Sequence, residues 1–333
     1  MSLRGDMIRV GIIRCDTHAF WYAPLFEKPN PDRYRKAHRG CHYYFYRPDD
    51  PSRLRVPTVP GMTVSRVFDE EDRDRAAALS DAFEGRPRVC DSFEEVSDDV
   101  DLVYIADCNY EGKDHLRLAE PGLSKGVPHF VDKPFAFTLE DARTMIDLAK
   151  RHETAVMCAS LLRYSPFLER FRGRLRDIAP VGSLLVPSYS TSLATVFHGV
   201  SVVQCVMGEG CEWTECMGPD AFDVLRLGYA KNDAIILSAL GAAPGYVVTS
   251  ANYHHCAYQV TAYGARGAAY SPRVDDYLFP HGGVRIVKMA KAMAQSKQPP
   301  ISYASMLEPM EMIEAARLAH KLRRRVYLDE VRT

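Results

Sequence analysis

The first half of this 333-residue chain alternates short apolar runs with helical patterns, and that alternation constrains its fold most. The apolar runs are Ile8–Ile13, Thr63–Phe68, Leu102–Ala106 and Val127–Val131, with a shorter one at Pro87–Cys90. Helical patterns lie between them, at Arg73–Phe83, after a capping box at Ser92–Glu95, and from Thr138 onward. Strands that alternate with helices predict a parallel, doubly wound sheet, here over residues 1–135.

Residues 20–61 interrupt this alternation. They are rich in aromatic residues and prolines and show no clear period. A stretch of this length without periodicity is usually functional or disordered, and this one is too aromatic for disorder. We therefore expect an ordered insertion that either caps the site or packs against the sheet or another subunit.

The second half changes character after about residue 180. Runs typical of β-strands follow one another near residues 211–217, 222–229, 234–240, 246–253 and 256–263. Two helical patterns, Val284–Gln295 and Met306–Leu322, and a short strand at Arg325–Leu328 close the chain. This order predicts one C-terminal α/β domain over residues 136–333, with a large open and mostly antiparallel sheet.

Composition narrows the class of ligand. The formal net charge is −1 with 26% charged residues, so no basic field attracts nucleic acid or an anionic membrane. No apolar stretch is long enough to span a bilayer, and nine scattered cysteines without a Cys-x-x-Cys pair are typical of reduced thiols. We expect a cytoplasmic protein with a small-molecule ligand, assembled as a homodimer or homotetramer.

Lys133 is the first candidate for chemistry. It follows the apolar run Val127–Val131 in the sequence Val-Asp-Lys-Pro, and ligands of open α/β sheets lie just beyond the carboxyl ends of such strands. Pro134 stiffens the turn and biases Lys133 toward an extended conformation. A surface lysine beside a helix-starting proline is the alternative interpretation.

Several motifs stand in a recognisable order along the chain: Val10–Ile13, Val67–Asp69, Val103–Asn109, Val131–Pro134, Leu162–Pro166 and Phe197–Val200. This order resembles the glucose-fructose oxidoreductase, inositol dehydrogenase and MocA family over nearly the whole chain. The resemblance implies an N-terminal Rossmann domain that binds NAD or NADP and a C-terminal substrate-binding and oligomerisation domain. It also implies hydride transfer at a sugar, polyol or related hydroxylated molecule, with Lys133 near the nicotinamide and His198 as acid/base.

The physical chemistry of these residue types agrees with those roles. Imidazole is well suited to take a hydroxyl proton, and a lysine beside the reacting oxygen stabilises negative charge. Asp69 is the residue type that binds an adenosine ribose hydroxyl, which favours NAD over NADP. Asp107, Asn109, Arg163 and Tyr164 are expected to follow strand ends; we assign the first two to the cofactor and the last two to the substrate.

The phosphate-binding turn departs from the family. Aligned through Gly11, the positions of Gly-x-Gly-x-x-Gly/Ala hold Arg14, Asp16 and Ala19, of which only the last is compatible. Arg14 could offset the charge of Asp16 by binding a phosphate oxygen. Alternatively, Asp16 caps the helix that starts at Thr17 and His18, and the cofactor is held differently or not at all.

A second departure concerns His198. Family dehydrogenases commonly place an aspartate four residues earlier, where this chain has Ala194, and an acid three residues later, where it has Ser201. Without that carboxylate, the acid/base power of His198 is reduced or comes from another residue. His198 could also be an ordinary core residue at a helix end.

The sequence supports one predicted function and leaves two alternatives open. The predicted catalytic residues are Lys133 and His198, and the predicted cofactor-binding residues are Gly11, Arg14, Asp16, Thr17, His18, Asp69, Asp107, Asn109, Lys133 and Pro134. The predicted function is an NAD(P)-dependent oxidoreductase without a metal. The rivals are a non-catalytic or cofactor-altered ligand-binding descendant, and a metal-dependent hydrolase suggested only by the number of histidines.

Overall fold

The structure of this chain is a computed structural model, and it describes residues 7–107, 111–188, 190–230, 233–237 and 257–332. The chain divides into two compact units. The first comprises Met1–Ala159 and Gly283–Tyr303, and the second comprises Ser160–Gly282 and Ala304–Thr333. None of the helices in the described ranges is both long and apolar enough to cross a membrane.

The first unit contains a parallel sheet. Its strands are β1 (Ile8–Ile13), β2 (Met62–Phe68), β3 (Arg88–Val89), β4 (Leu102–Ile105), β5 (His129–Val131) and β6 (Val156–Cys158). The strand order is β3-β2-β1-β4-β5-β6, so β1 lies at the point where the order reverses. The side chains of β4 and β5 are buried throughout, as expected for strands with helices on both faces. The predicted doubly wound Rossmann fold is confirmed.

Six helices connect or flank these strands: α1 (Thr17–Phe26), α2 (Pro31–Ala37), α3 (Arg39–Phe45), α4 (Arg73–Ala82), α5 (His115–Ser124) and α6 (Leu139–Arg151). The helix predicted after Thr138 is confirmed, because the Thr138 hydroxyl accepts a hydrogen bond from Asp141 N and caps α6. The prediction of a capping box at Ser92–Glu95 is wrong. That segment forms a short 3-10 helix at Glu94–Ser97 without a side-chain cap.

Residues 20–61, expected to form an ordered insertion, contain most of α1 and all of α2 and α3. The helices α2 and α3 have seven residues each, which is too short to display a helical period. His38 alone separates them, ending α2 and capping α3. Tyr34 of α2 is fully buried and donates its hydroxyl proton to Phe20 O of α1, so the aromatic residues form a local core.

The first unit extends beyond the predicted domain boundary at residues 135 and 136. Its sheet needs β6, which pairs in parallel with β5, and α6 is the crossover that joins the two strands. The first segment of this unit therefore ends at Ala159, after β6.

The second unit contains the strands β7 (Val181–Pro187), β8 (Trp213–Met217), β9 (Val224–Gly228), β10 (Asp233–Leu237), β11 (Ala257–Tyr258), β12 (Thr261–Gly264), β13 (Gly267–Tyr270), β14 (Val274–Asp275) and β15 (Val326–Tyr327). The main sheet has the order β13-β12-β7-β10-β9-β8-β15. All its recorded pairings are antiparallel except β7 with β10, which confirms the predicted mostly antiparallel sheet. The strand predicted at 246–253 lies outside the described residues.

Five further helices are α7 (Pro166–Ile178), α8 (Leu193–Met207), α9 (Phe279–Ser296), α10 (Tyr303–Leu322) and α11 (Asp329–Arg332). Of these, α8 carries His198 and is almost entirely buried. The Ser192 hydroxyl accepts a hydrogen bond from Thr195 N and caps this helix. His198 therefore lies on the second turn of a capped helix in the core of the second unit.

Candidate functional site

The turn between β1 and α1 has only three residues, Arg14, Cys15 and Asp16. Arg14 has φ 68°, the left-handed conformation that glycine usually adopts, and its N–H donates to Phe68 O over 2.8 Å. The turn thus keeps the tight backbone of a dinucleotide-binding loop although it lacks the glycines. Asp16 accepts a hydrogen bond from His18 N over 2.8 Å, which makes it the cap of α1.

Asp69 lies immediately beyond the carboxyl end of β2 and is 5% exposed. Its Oδ2 accepts from Cys15 N over 2.7 Å, and its Oδ1 accepts from the N–H groups of Glu71 and Asp72 over 3.0 and 3.1 Å. These bonds hold the carboxylate beside the turn that follows β1. A carboxylate fixed there has the position expected of a ribose-binding residue.

Arg14 belongs to an ion cluster, here called the edge cluster, that also contains Glu70, Asp114 and Arg117. The Arg14 side chain is 7% exposed; its Nη2 lies 3.3 Å from Glu70 Oε2 and in closer contact with Asp114 Oδ2. Burial alone would lower the pKa of Arg14, but the bond to Asp114 and the charge of Glu70 raise it above its usual value. Arg14 is therefore a fixed, buried cation.

Lys133 is the second residue after β5 and is 7% exposed. The preceding Asp132 accepts from Lys133 N over 2.8 Å with one carboxylate oxygen and contacts His18 Nδ1 with the other. Burial opposes ionisation of Asp132, yet His18 and Lys133 bring its pKa below the usual value. Asp132 thus links the α1 start to the lysine turn, where the Lys133–Pro134 peptide is cis.

Asp107 follows β4 and lies 3.3 Å from His115 Nε2, with both side chains fully buried. Burial lowers the pKa of His115, but Asp107, the carbonyl of Phe135 and Asp114 together raise it, so the net shift is upward. Among the described residues, Asp107, Asp114 and His115 are the one group whose ligand atoms lie within 4.8 Å of one another. Because Arg14 already neutralises Asp114, we assign no metal to this group.

His198 is 5% exposed, and its Nδ1 lies 2.7 Å from Ser160 Oγ. Ser160 also accepts a hydrogen bond from Leu162 N over 3.2 Å, which fixes its side chain. The imidazole packs edge-on against Tyr258 at 5.9 Å between ring centroids. A buried serine therefore orients the ring where the family commonly uses a carboxylate.

Arg163 and Tyr164 do not end a strand as expected, because β6 stops at Cys158 and a turn follows. The Arg163 guanidinium donates to Ser305 O over 3.2 Å and pairs with Glu209 over 3.1 Å. It also lies 5.7 Å from the Tyr164 ring centroid. All these contacts are with residues of the second unit, to which Arg163 belongs. A role of Arg163 in binding a substrate stays a prediction.

The remaining candidates are placed as follows. Gly11 lies inside β1. A Cβ added there would lie 2.5 Å from Val96 O, so close packing against Val96 requires glycine at this position. Thr17 is the first residue of α1, and its hydroxyl lies 3.4 Å from His38 Nε2. Asn109 lies outside the described residues, as does the cluster His254–Cys256.

In the first unit, Arg14, Asp16, Thr17, His18, Asp69, Asp107 and Lys133 all follow the carboxyl ends of β1, β2, β4 or β5. The structure therefore gathers most predicted cofactor residues at one edge of the parallel sheet. Sequence reasoning missed Glu70, Asp114 and Asp132 as partners of these residues, and Ser160 as the partner of His198. The available signal was position alone, since Glu70, Asp132 and Ser160 each lie within two residues after a strand and Asp114 directly precedes α5.

Two features of the first unit suit a bound dinucleotide: the backbone conformation of the turn after β1 and the position of Asp69 for the ribose. The turn at Arg14 is left-handed, Ala19 is fully buried against the sheet, and Asp69 is fixed beside the turn. Asp16 is the departure, because its carboxylate occupies the N–H of His18 at the start of α1. Arg14 is the buried cation in the turn itself that could bind a diphosphate there.

Residues 57–160 match the family model described as "Oxidoreductase family, NAD-binding Rossmann fold". This match confirms the resemblance to the glucose-fructose oxidoreductase, inositol dehydrogenase and MocA family. No curated protein matches this chain in sequence.

Solved structures with the same fold cover nearly the whole chain. GenD2 from gentamicin A biosynthesis, in complex with NAD, is 15% identical with a TM-score of 0.71, over 98% of this chain and 97% of that one. Myo-inositol dehydrogenase from Lactobacillus casei, in complex with NAD(H) and myo-inositol, is 13% identical with a TM-score of 0.69, over 96% of both chains. A probable dehydrogenase from Thermotoga maritima is 14% identical with a TM-score of 0.70, over 97% of this chain and 100% of that one. At these identities the likeness shows the fold alone.

Proposed function

We propose that this chain, whose residues 57–160 belong to the glucose-fructose oxidoreductase, inositol dehydrogenase and MocA family of NAD-binding oxidoreductases, transfers a hydride to or from a hydroxyl-bearing carbon of a sugar, polyol or related small molecule. The observation that carries this proposal is the placement of Lys133. It is the second residue after β5 in a Rossmann sheet, and its turn is linked to the start of α1 through Asp132 and His18.

The cofactor is proposed to be NAD. Asp69 would bind the adenosine ribose, Arg14 would bind the phosphates, and Lys133 would lie near the nicotinamide. The negative charge of Asp69 disfavours the 2′-phosphate of NADP. When bound, NAD supplies the hydride acceptor or donor.

The protein's own residues would manage the proton and the charge. His198 takes the hydroxyl proton during oxidation, and Ser160 holds its imidazole at Nδ1. The Lys133 ammonium stabilises the negative charge that develops on the substrate oxygen as the proton leaves. Reduction uses the same groups in reverse, with His198 as the acid.

The substrate class rests on family and fold. The family implies sugars and polyols, and the similar structure from Lactobacillus casei was solved with myo-inositol. We therefore propose a polyhydroxylated substrate whose oxidised carbon carries a secondary hydroxyl group.

The substitution Lys133→Met tests this proposal. We expect it to lower kcat for polyol-dependent NADH formation by about a hundredfold or more, because it removes charge stabilisation at the reacting oxygen. The Kd for NADH should change by less than about fivefold, since most of the dinucleotide contacts remain. Steady-state kinetics across a polyol panel and an NADH fluorescence titration measure both quantities.

Lys36→Met is the matched control, because Lys36 is an exposed lysine of α2. It should leave kcat and the NADH Kd unchanged. Full activity of Lys133→Met on a substrate that the unmodified protein oxidises would contradict the proposed role.

A ligand-binding protein without turnover is the second candidate, favoured by one observation. Asp16 caps α1 with its own carboxylate and so takes a donor that a phosphate would use. If the protein bound polyols in calorimetry while NADH and NADPH gave no binding heat, this second candidate would replace the first.

A further inference from the structure

The edge cluster joins four charged side chains by short contacts. Arg14 Nη2 lies 3.3 Å from Glu70 Oε2 and closer still to Asp114 Oδ2. Arg117 contacts both oxygens of Glu70, at 3.2 and 2.6 Å, and lies 3.6 Å from Asp114. The two acids are therefore shared between two guanidinium groups.

The edge cluster lies at the carboxyl ends of neighbouring strands, at the point where the strand order of the sheet reverses. Arg14 follows β1, Glu70 follows β2, and Asp114 precedes α5, which comes after β4. Because β1 lies between β2 and β4, the contacts of Arg14 span the crevice in which ligands of doubly wound sheets bind.

Burial distinguishes Arg14 from its partners. Its side chain is 7% exposed, whereas Glu70 is 42% and Arg117 is 47% exposed. A buried guanidinium needs anionic partners, and a phosphate can serve as well as a carboxylate because both accept two parallel N–H bonds.

The acidic residues at this edge mean that an anionic ligand needs a cation beside it. The carboxylates of Asp16, Asp69 and Asp107 follow the same three strands as the cluster. A diphosphate that entered among these acids without a cation would meet repulsion on the order of 1–4 kcal/mol for each near contact. Arg14 is the most buried cation of the cluster that could offset it.

We infer that Glu70 and Asp114 compete with the cofactor's diphosphate for Arg14, and so set the affinity of the chain for the dinucleotide. This inference rests on the proposed function, because it takes the dinucleotide to bind at this edge. A glycine-rich loop binds phosphates through backbone N–H groups alone. This chain would instead use the Arg14 side chain, and the phosphates would have to displace the carboxylates of Glu70 and Asp114 from it. Neutralising a counter-ion should then strengthen binding, and removing the cation should weaken it.

Glu70→Gln tests the inference, with Glu71→Gln as matched control. Both variants lose one negative charge at neighbouring exposed positions, but only Glu70 contacts Arg14. We expect Glu70→Gln to lower the NADH Kd by about five- to tenfold, and Glu71→Gln to change it by less than about twofold. Arg14→Gln should raise the Kd by about tenfold or more.

Asp114→Asn is a second route to the same comparison. Asp114 makes no capping hydrogen bond to α5, so this change removes charge without uncapping the helix. It should also tighten NADH binding. Each Kd is measured by fluorescence titration on variants whose far-UV circular dichroism matches the unmodified protein.

The outcomes separate this inference from the proposed function. If Glu70→Gln and Glu71→Gln shift the Kd equally, or if Arg14→Gln binds NADH more tightly, the competition is refuted while dinucleotide binding stands. If neither the unmodified protein nor any variant binds NADH or NADPH, the proposed function fails and the competition fails with it.

Discussion

At the scale of the residue, the contact between Ser160 and His198 fixes the orientation of the candidate acid/base. Ser160 Oγ lies 2.7 Å from His198 Nδ1 and also accepts from Leu162 N. A hydroxyl fixes the orientation of the ring without adding charge. The pairing joins residues 38 positions apart, so the sequence could show only that the expected aspartate is absent.

Ser160→Ala should lower kcat by about ten- to a hundredfold and leave KM for the dinucleotide unchanged, because it removes the hydrogen bond that orients the imidazole at Nδ1. Ser160→Thr, which keeps the hydroxyl, should recover part of the loss. The matched control is Ser201→Ala: Ser201 is equally buried on α8 but donates to Phe197 O. An unchanged kcat in Ser160→Ala would show that Ser160 does not position the histidine.

His129 predicts how stability depends on pH. It is fully buried on β5; its Nδ1–H donates to Val127 O, while Nε2 has no hydrogen-bond partner among the described residues. Burial therefore lowers its pKa from 6.5 to about 4. Between these values the unfolded chain takes up a proton that the folded chain does not, so the free energy of unfolding falls as the pH falls.

From pH 7 to pH 5 this single group should remove about 2 kcal/mol of stability. Urea denaturation of the unmodified protein and of His129→Gln at both pH values measures the effect. The loss should be about 2 kcal/mol smaller in the variant, where Gln has no proton to gain in this range. Equal losses in the two proteins would contradict the role assigned to His129.

At the scale of the element, the sequence predicted strands better than helices. The strands β1, β2 and β4 were found within one residue at each end, because a parallel strand buried on both faces is a continuous apolar run. The short helices α2 and α3 were missed for lack of a period. The strand β7 was missed because Gly182 and Pro187 interrupt it and only Leu184 and Val186 are buried.

The contact between α5 and β5 depends on Gly122. A Cβ added there would lie 2.4 Å from His129 Cε1 and 3.1 Å from Ser97 Cβ, inside the packed first unit. Gly122→Ala should therefore lower the free energy of unfolding by about 1–3 kcal/mol through overpacking.

Gly173→Ala is the control with the opposite expectation. Gly173 lies inside α7, and a Cβ there would meet no described atom within 4 Å. Alanine should stabilise this helix by about 0.5–1 kcal/mol. Urea denaturation measures both variants, and a stabilising Gly122→Ala would refute the close packing of α5 against β5.

At the scale of the whole molecule, fold class was predictable and the partition of the chain was not. Alternating strands and helices indicated the parallel sheet, and closely spaced β runs indicated the mostly antiparallel one. The first unit also includes residues 283–303, which return from late in the chain. Such a return leaves no local signal. Assembly as a homodimer or homotetramer stays a prediction, which a sizing column with light scattering would check.

The residues proposed for cofactor and proton chemistry are described unit by unit. Arg14, Asp69 and Lys133 belong to the first, whereas Ser160 and His198 belong to the second. The first unit carries the central claim, because binding of a dinucleotide at its carboxyl edge must precede any hydride transfer.

Hydrogen exchange by mass spectrometry, with and without NADH at about 1 mM, tests this claim most directly, since dinucleotide enzymes work in this range. If a dinucleotide binds there, we expect slower amide exchange in residues 14–19 and 69–72, where the β1–α1 turn and Asp69 would contact it. Unchanged exchange in both segments at saturating NADH would contradict it.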